Sequence, residues 1–335
     1  MPALAIDIGS YSLKIVSGQS AKKPVIQRVV EAPNDLGYVL PTDDEQAAKL
    51  GETIFSIIND NKLPRTNIRL SLPEAAISSK VIAIPPLTDA ELASAIEWQA
   101  EQYIPIPKEE LALQYQVLYR PEKGNKQQPM KVLLVGARKS LVERFTNMFL
   151  GIGVEPVLLE THIFSAIRSL DLATTEPPTL VVNFGASATD MGVVDQGELS
   201  FVFTNPLGGK ALSKALEQEI GLDPEQAEQY KRQYGLDPSQ FEGKVRQALI
   251  PAVDGLITEI SKSIRYFQSE NPNGDVRRIV LSGGSAQLPG LTQYITEKLN
   301  AEVLLADPFY DIKGEVPTAN RQAFTICMGL LMREL

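Results

Sequence analysis

The sequence predicts an α/β protein of two similar lobes, with an α+β insert in the first. The pattern Ile6-Asp7-Ile8-Gly9-Ser10 returns as Val182-Asn183-Phe184-Gly185-Ala186-Ser187. Each occurrence is a short apolar strand that ends at a Gly turn and opens a run of closely spaced strands, the pattern of an antiparallel meander. Helices with apolar residues at 3.6-residue periodicity follow in both halves. Between the halves the texture changes to Pro-closed strands and capped helices, which marks the insert. The expected division is a first lobe at about 1–177 with its insert at about 73–155, and a second lobe at about 178–335 with a mainly helical subdomain at about 221–277. A chain of 335 residues fits two such units.

In the first half, Leu4 to Ile8, Leu13 to Val16 and Val25 to Val30 read as strands. Asp43 to Asn59 reads as a helix, with Ala47, Leu50, Ile54, Ile57 and Ile58 on one face. Asn67 to Leu72 reads as a further strand. In the insert, Val81 to Ile84 is a strand closed by Pro85-Pro86. Thr88 and Glu91 form a capping box for a helix reaching Tyr103. Leu92, Ile96 and Tyr103 form its apolar stripe, and Pro105 and Pro107 end it. Two strands around a polar hairpin at Pro121 to Pro129 and a helix stopped by Gly151 complete the insert. Thr161 to Leu170 is a helix, and Ala173 to Pro178 reads as a hinge.

The second half repeats the strand meander. Gly208-Gly209 opens a helix to about Ile220, Pro224 to Tyr234 forms another, and Arg246 to Gln268 a long one. Ile279 to Leu281 is a strand running into Ser282-Gly283-Gly284. Two helices follow, near Leu291 to Leu299 and Phe324 to Leu331.

Bulk properties exclude several classes. A net charge of −9 argues against non-specific nucleic-acid binding, which needs a Lys/Arg excess. One cysteine, Cys327, allows no intrachain disulfide and reads as a small core residue. MPALAIDIGS has no basic region followed by a long apolar stretch, so no signal peptide is expected. No apolar run reaches spanning length. The expected location is the cytoplasm.

Four elements carry candidate chemistry. In Asp7-Ile8-Gly9-Ser10-Tyr11-Ser12-Leu13-Lys14, Gly9 lets backbone approach a phosphate. Ser10 and Ser12 offer hydroxyls, Lys14 offers charge, and Asp7 can order a metal-bound water because magnesium keeps several of its waters. Gly185-Ala186-Ser187-Ala188-Thr189-Asp190 offers an anion nest with the hydroxyls of Ser187 and Thr189. Alone, each loop fits a plain turn as well; at equivalent places in a repeat they fit a phosphate site better. Gly283 and Gly284, followed by Ser285, give a flat backbone surface for a planar base. Glu228 and Lys231 share a helix face, as a ribose-and-base holder or as a surface ion pair.

In this order the four elements resemble the first phosphate, second phosphate, ribose and adenosine motifs of the actin-like ATPases, and the resemblance covers nearly the whole chain. Asp7, Gly9, Ser10 and Lys14 resemble the first motif; Gly185 and Thr189, the second; and Gly283 and Gly284, the adenosine motif. Ala227-Glu228-x-x-Lys231 resembles a segment of FtsA-like members. Glu97-Trp98-Gln99-Ala100-Glu101-Gln102-Tyr103-Ile104-Pro105-Ile106-Pro107 resembles a signature of the PilM family of type IV pilus assembly. By their chemistry alone, Trp98 and Tyr103 fit a core or an interface.

The resemblance implies an actin-like two-lobe ATPase fold of duplicated ribonuclease H-like domains, with an FtsA/PilM-type insert. It implies that ATP and Mg2+ are bound between the lobes by Asp7 (through water), Gly9, Ser10, Ser12, Lys14, Asn183, Gly185, Ser187, Thr189, Gly208, Gly209, Glu228, Lys231, Gly283, Gly284 and Ser285. It further implies that the N-terminal cytoplasmic tail of a PilN-like inner-membrane protein is a partner, alongside other platform proteins. Homo-oligomerisation is left open. The chain ends after an apolar helix without a basic amphipathic segment of the FtsA kind, so membrane recruitment through a partner is expected. An FtsA-like division scaffold, a sugar-kinase-like phosphotransferase and a related secretion-system platform protein are the alternatives; the phosphotransferase needs a general base that no motif supplies.

Asn183 stands where the second phosphate motif usually has Asp, and Ala186 where actin is acidic. Hydrolysis needs metal-bridged phosphates and a positioned water, so weak or negligible turnover is expected. Glu160 lies near the expected water-positioning helix. His162, without a partner visible in sequence, reads as a core or surface residue.

Overall fold

The computed structural model describes residues 2–122, 128–172, 177–272 and 274–334. Most of the expected hairpin tip at 121–129 and of the expected hinge at 173–178 lies outside the described residues.

The first lobe opens with β1 (Pro2–Ile8), β2 (Ser12–Gln19) and β3 (Val25–Pro33), an antiparallel meander. The helix α1 (Asp44–Asp60) follows, its N-cap Asp43 accepting from the Gln46 N–H. Next come β4 (Ile68–Leu72), then the insert, then β8 (Pro156–Thr161), and β4 and β8 both add in parallel. The second lobe repeats the scheme with β9 (Thr179–Phe184), β10 (Thr189–Asp195) and β11 (Glu198–Asn205) as the meander. The strands β12 (Arg278–Ser282) and β13 (Glu302–Leu305) add in parallel. The sheet orders are β3-β2-β1-β4-β8 and β11-β10-β9-β12-β13, with a short β14 (Lys313–Gly314) on the free edge of β3. Both sheets thus have the same strand order and directions.

One face of the first sheet buries Ile6, Ile15 and Leu70 against α1 and α3 (Lys139–Gly151). The corresponding face of the second sheet packs on α5 (Gly209–Ile220), α7 (Lys244–Glu270) and α8 (Leu291–Leu299), with α6 (Pro224–Tyr234) alongside. The opposite faces are covered crosswise. The helix α4 (His162–Leu170) follows the last strand of the first sheet but packs Ile163 and Ala166 against Val181 and Val194 of the second. The helix α9 (Thr325–Met332) ends the second lobe but packs Ile326, Cys327 and Leu330 against Ala3, Ala5 and Val16 of the first. The two helices meet where a Cβ on Gly329 would lie 1.7 Å from the Ser165 carbonyl oxygen. The buried guanidinium of Arg69 donates to the Leu330 (2.8 Å) and Leu331 (3.3 Å) carbonyls. These are orphan acceptors at the end of α9, where a cation also suits the helix dipole.

The insert is a sheet of order β5-β7-β6, with β5 (Ile77–Ile84), β6 (Leu111–Tyr119) and β7 (Met130–Arg138) all antiparallel. Its helix α2 (Asp89–Tyr103) starts at the expected capping box: Glu91 Oε2 accepts from the Thr88 N–H at 2.8 Å. Leu92, Ile96 and Ala100 face the sheet. Tyr103 does not join that stripe. It is 44% exposed and Trp98 62%, so the aromatic pair is not core. The helix turns three and four residues apart onto one face, and 92-96-100 is the face that the sheet covers.

Candidate functional site

The two Gly loops meet at the floor of a cleft of about 530 Å³ between the lobes. Residues 9–12 join β1 to β2, and residues 185–188 join β9 to β10. Each is closed by the same bond, Gly9 N–H to the Ser12 carbonyl (3.1 Å) and Gly185 N–H to the Ala188 carbonyl (3.0 Å). The strand registers are equivalent too: Asp7 pairs with Lys14, and Asn183 with Asp190. The Ser10 and Ser187 hydroxyls are hydrogen-bonded across the gap. A Cβ on Gly9 would lie 2.8 Å from both Lys14 Nζ and the Ser12 carbonyl oxygen, so the bare Cα there is a packing requirement. Lys14 Nζ donates to the Ser12 carbonyl (3.2 Å) and stands 3.8 Å from Asp7.

Four ionisable groups converge below the loops. Asp7 accepts from Ser71 Oγ at 2.8 Å. His162, the first residue of α4, lies between the lobes. Its Nδ1 is 3.3 Å from Asp190 Oδ2, and its Nε2 is 3.4 Å from Asp7 Oδ1, within ion-pair distance but without hydrogen-bond geometry. Thr204 donates to Asp190 at 3.0 Å. Glu74, buried, accepts the Ile163 N–H at 3.0 Å. Burial, aided by the Asp190 charge, pushes the Glu74 carboxyl up to about 7. Burial works against a charged His162, but Asp190, Asp7 and Glu74 together leave it above its ordinary value.

Both shifts act on stability in one direction. A carboxyl held above its unfolded value loses stability as pH rises from about 4.5 to about 7. A raised His162 contributes fully below about 6.5 and loses its contribution as pH rises through its folded value. Urea unfolding should therefore show a less stable protein at pH 8 than at pH 5. Glu74→Gln, which keeps an acceptor for Ile163, should remove on the order of 3 kcal/mol of that fall. An unaltered pH profile in this variant would mean that Glu74 is not the source.

The second-lobe wall is built from α5, α6 and the turn after β12. Lys231 Nζ donates to Glu228 Oε2 (2.5 Å), Ser213 Oγ (3.0 Å) and the Gly209 carbonyl (3.1 Å). Burial lowers the Lys231 ammonium, while Lys231, Ser213 and Arg232 overcome burial to hold the Glu228 carboxyl below its ordinary value. The guanidinium of Arg232 donates Nε–H to Glu228 Oε1 (2.7 Å) and lies 4.8 Å from the centre of the Tyr11 ring, across the cleft mouth. Gly283 has φ +85°, and a Cβ there would strike the Phe184 carbonyl at 2.5 Å; a Cβ on Gly284 would meet nothing. The turn therefore presents open backbone to the cleft.

The expected residues Asp7, Gly9, Ser10, Ser12, Lys14, Asn183, Gly185, Ser187, Glu228, Lys231, Gly283, Gly284 and Ser285 all line the cleft. Three do not. Thr189 faces inward and donates to the Leu207 carbonyl at 2.6 Å, because its register partner is Phe184, making it the counterpart of Leu13. Gly208 and Gly209 lie behind the wall. A Cβ on Gly208 would lie 2.5 Å from the Ala186 carbonyl, and one on Gly209 would lie 2.2 Å from Ser285 Oγ, so they let α5 pack onto the second loop. Ser285 itself donates to the Gly185 carbonyl at 2.9 Å. Glu160 is also redirected: it pairs with Arg168 and accepts from Ser165 (2.8 Å) away from the cleft. His162 is neither isolated nor on the surface. Asp190 and Lys210 line the cleft and the buried Glu74 holds the start of α4, none of which the sequence reading assigns to the site.

A family model described as "Type IV pilus assembly protein PilM" matches residues 5–335. The chain belongs to the PilM family. A solved "PilM-PilN type IV pilus biogenesis complex" is 23% identical over 98% of this chain and 97% of that one, with a TM-score of 0.86. The ethanolamine utilization protein EutJ from Carboxydothermus hydrogenoformans is 16% identical over 99% and 89%, TM-score 0.59. MreB5 of Spiroplasma citri bound to ADP is 13% identical over 98% and 94%, TM-score 0.55. These likenesses show that the PilM-family chain has the actin-like ATPase fold.

The lining fits a nucleoside phosphate with a hydrated metal ion. Gly9 and Gly284 leave backbone bare, and Lys14 and Lys210 supply cations. The carboxylates of Asp7 and Asp190 are buried at the floor. No group of three His, Cys, Asp or Glu suited to direct coordination occurs among the described residues.

Proposed function

We propose that this PilM-family chain is an ATP-binding scaffold of the type IV pilus assembly platform, held at the cytoplasmic face of the inner membrane by the N-terminal tail of a PilN-like protein. The observation that carries the nucleotide reading is the meeting of two equivalent Gly loops, one from each lobe, above two buried carboxylates. The loop N–H groups and Lys14 would hold the phosphates, Glu228 and Lys231 the ribose and base edge, and Gly284 the base face. Asp7 and Asp190 would hold magnesium through water, and the ion would supply charge neutralisation to the phosphates. Asp190 contributes the charge that Asn183 lacks, from the strand paired with it. Glu160, the carboxylate nearest the expected water-positioning helix, is held by Arg168, which supports the reading of weak or negligible turnover.

The family and the solved PilM–PilN complex support the partner reading. Trp98 and Tyr103 on α2, exposed within the signature segment, suit a short apolar tail that orders on binding. No helix among the described residues is long and apolar enough to cross a membrane, which fits recruitment through a partner. Titration calorimetry with Mg-ATP tests the nucleotide half: saturable one-to-one heat is expected, and its absence would remove ATP from the account.

A further inference from the structure

Lys210 is the second residue of α5, at the point where that helix is keyed to the second loop. The Gly209 N–H donates to the Gly185 carbonyl (2.9 Å), and the Lys210 N–H to the Ala186 carbonyl (2.8 Å). Its side chain runs the other way, across the cleft, and Nζ donates to the Ser10 carbonyl of the first loop at 3.0 Å. The ammonium therefore lies beside the contact between Ser10 and Ser187, where the two loops close on each other.

The other cations lining the cleft are committed to carboxylates. Lys14 faces Asp7, Lys231 and Arg232 share Glu228, and His162 lies between Asp7 and Asp190. Among the described residues, Lys210 alone of these cations has no carboxylate within ion-pair distance. Its one acceptor is a neutral carbonyl. An anion offers the ammonium a direct charge–charge attraction that a neutral carbonyl cannot, so an anion entering between the loops draws Lys210 off Ser10.

We infer that Lys210 is a specificity residue that reads the terminal phosphate of a nucleoside triphosphate and discriminates it from the diphosphate. The inference rests on the nucleotide reading above and adds a residue and a selectivity to it. The mid-cleft position is what separates Lys210 from Lys14. Lys14 lines the cleft on the first-lobe side, against Gly9 and Asp7, and serves any phosphate held at the first loop. Lys210 is anchored on the second lobe and reaches only the gap between the loops, which the last phosphate of a chain laid along the first loop enters.

The test is a pair of affinities, for Mg-ADP and for a non-hydrolysable Mg-ATP analogue, in the unaltered protein, Lys210→Gln and Lys210→Arg. Lys210→Gln should weaken the analogue about tenfold or more and ADP by less than about threefold. Lys210→Arg should recover most of the preference. Equal losses for both nucleotides would overturn the inference, since Lys210 would then merely steady the loops, and so would no loss for either. If the unaltered protein binds neither nucleotide, the nucleotide reading falls and this inference with it. ADP affinity and the thermal midpoint of Lys210→Gln show that the variant is folded.

Discussion

Gly329→Ala is expected to destabilise the protein by about 3 kcal/mol or more. Alanine is the best helix former, and in an exposed helix this change would stabilise by roughly 1 kcal/mol. The sign is therefore informative. Gly329 lies in α9 where it crosses α4, and the added methyl would sit 1.7 Å from the Ser165 carbonyl oxygen. That neighbour is backbone, so no rotamer change relieves the contact and the helices must separate. Each helix is the cover of the other lobe's sheet, so separation uncovers Ala5 and Val16 on one side and Val181 and Val194 on the other. Overpacking at rigid sites costs about 1–3 kcal/mol and occasionally more. Urea unfolding checks the value, and a more stable variant would show that the crossing is not close.

Lys14→Ala is expected to weaken Mg-ATP binding tenfold to a hundredfold. A hydrogen bond from a charged donor contributes about 1.5–3 kcal/mol, and Lys14 is the lysine of the segment Asp7–Lys14, packed over the bare Cα of Gly9. Asp7 would keep its bond from Ser71 and its approach to His162, so the fold should survive. Calorimetry measures the affinity, and an unchanged value removes Lys14 from the site. The loss should extend to ADP, in contrast to Lys210→Gln, because Lys14 sits beside Gly9 and Asp7 on the first lobe and not in the gap between the loops.

The legible parts of this fold are those written in local pattern. The doubled strand–Gly–strand opening gave both hairpins, and Thr88 with Glu91 gave the start of α2. What stayed hidden depends on long-range placement. The crosswise covering of the sheets by α4 and α9 leaves no trace in either helix's own periodicity. His162 looked partnerless because Asp7 and Asp190 come from two different lobes. Asp190 had a signal that could have found it. Asp7 and Lys14 are separated like Asn183 and Asp190, so pairing the strands around equal loops puts Asp190 opposite Asn183. The same register would have shown Thr189 to be the counterpart of Leu13 and turned inward. Lys210 follows a Gly pair that reads as phosphate-binding, whereas the glycines shape the wall and the lysine enters the cleft. Trp98 is ambiguous in sequence because an aromatic on a helix suits core and interface alike, and the seat of Leu92, Ile96 and Ala100 on the insert sheet shows that it is not core.

The scaffold reading stands or falls on the partner tail. The direct measurement is capture of the chain by an immobilised N-terminal cytoplasmic peptide of the proposed PilN-like partner, with and without Mg-ATP. Saturable capture that is reduced by Trp98→Ala is the predicted result. Absence of capture in both nucleotide conditions would contradict it.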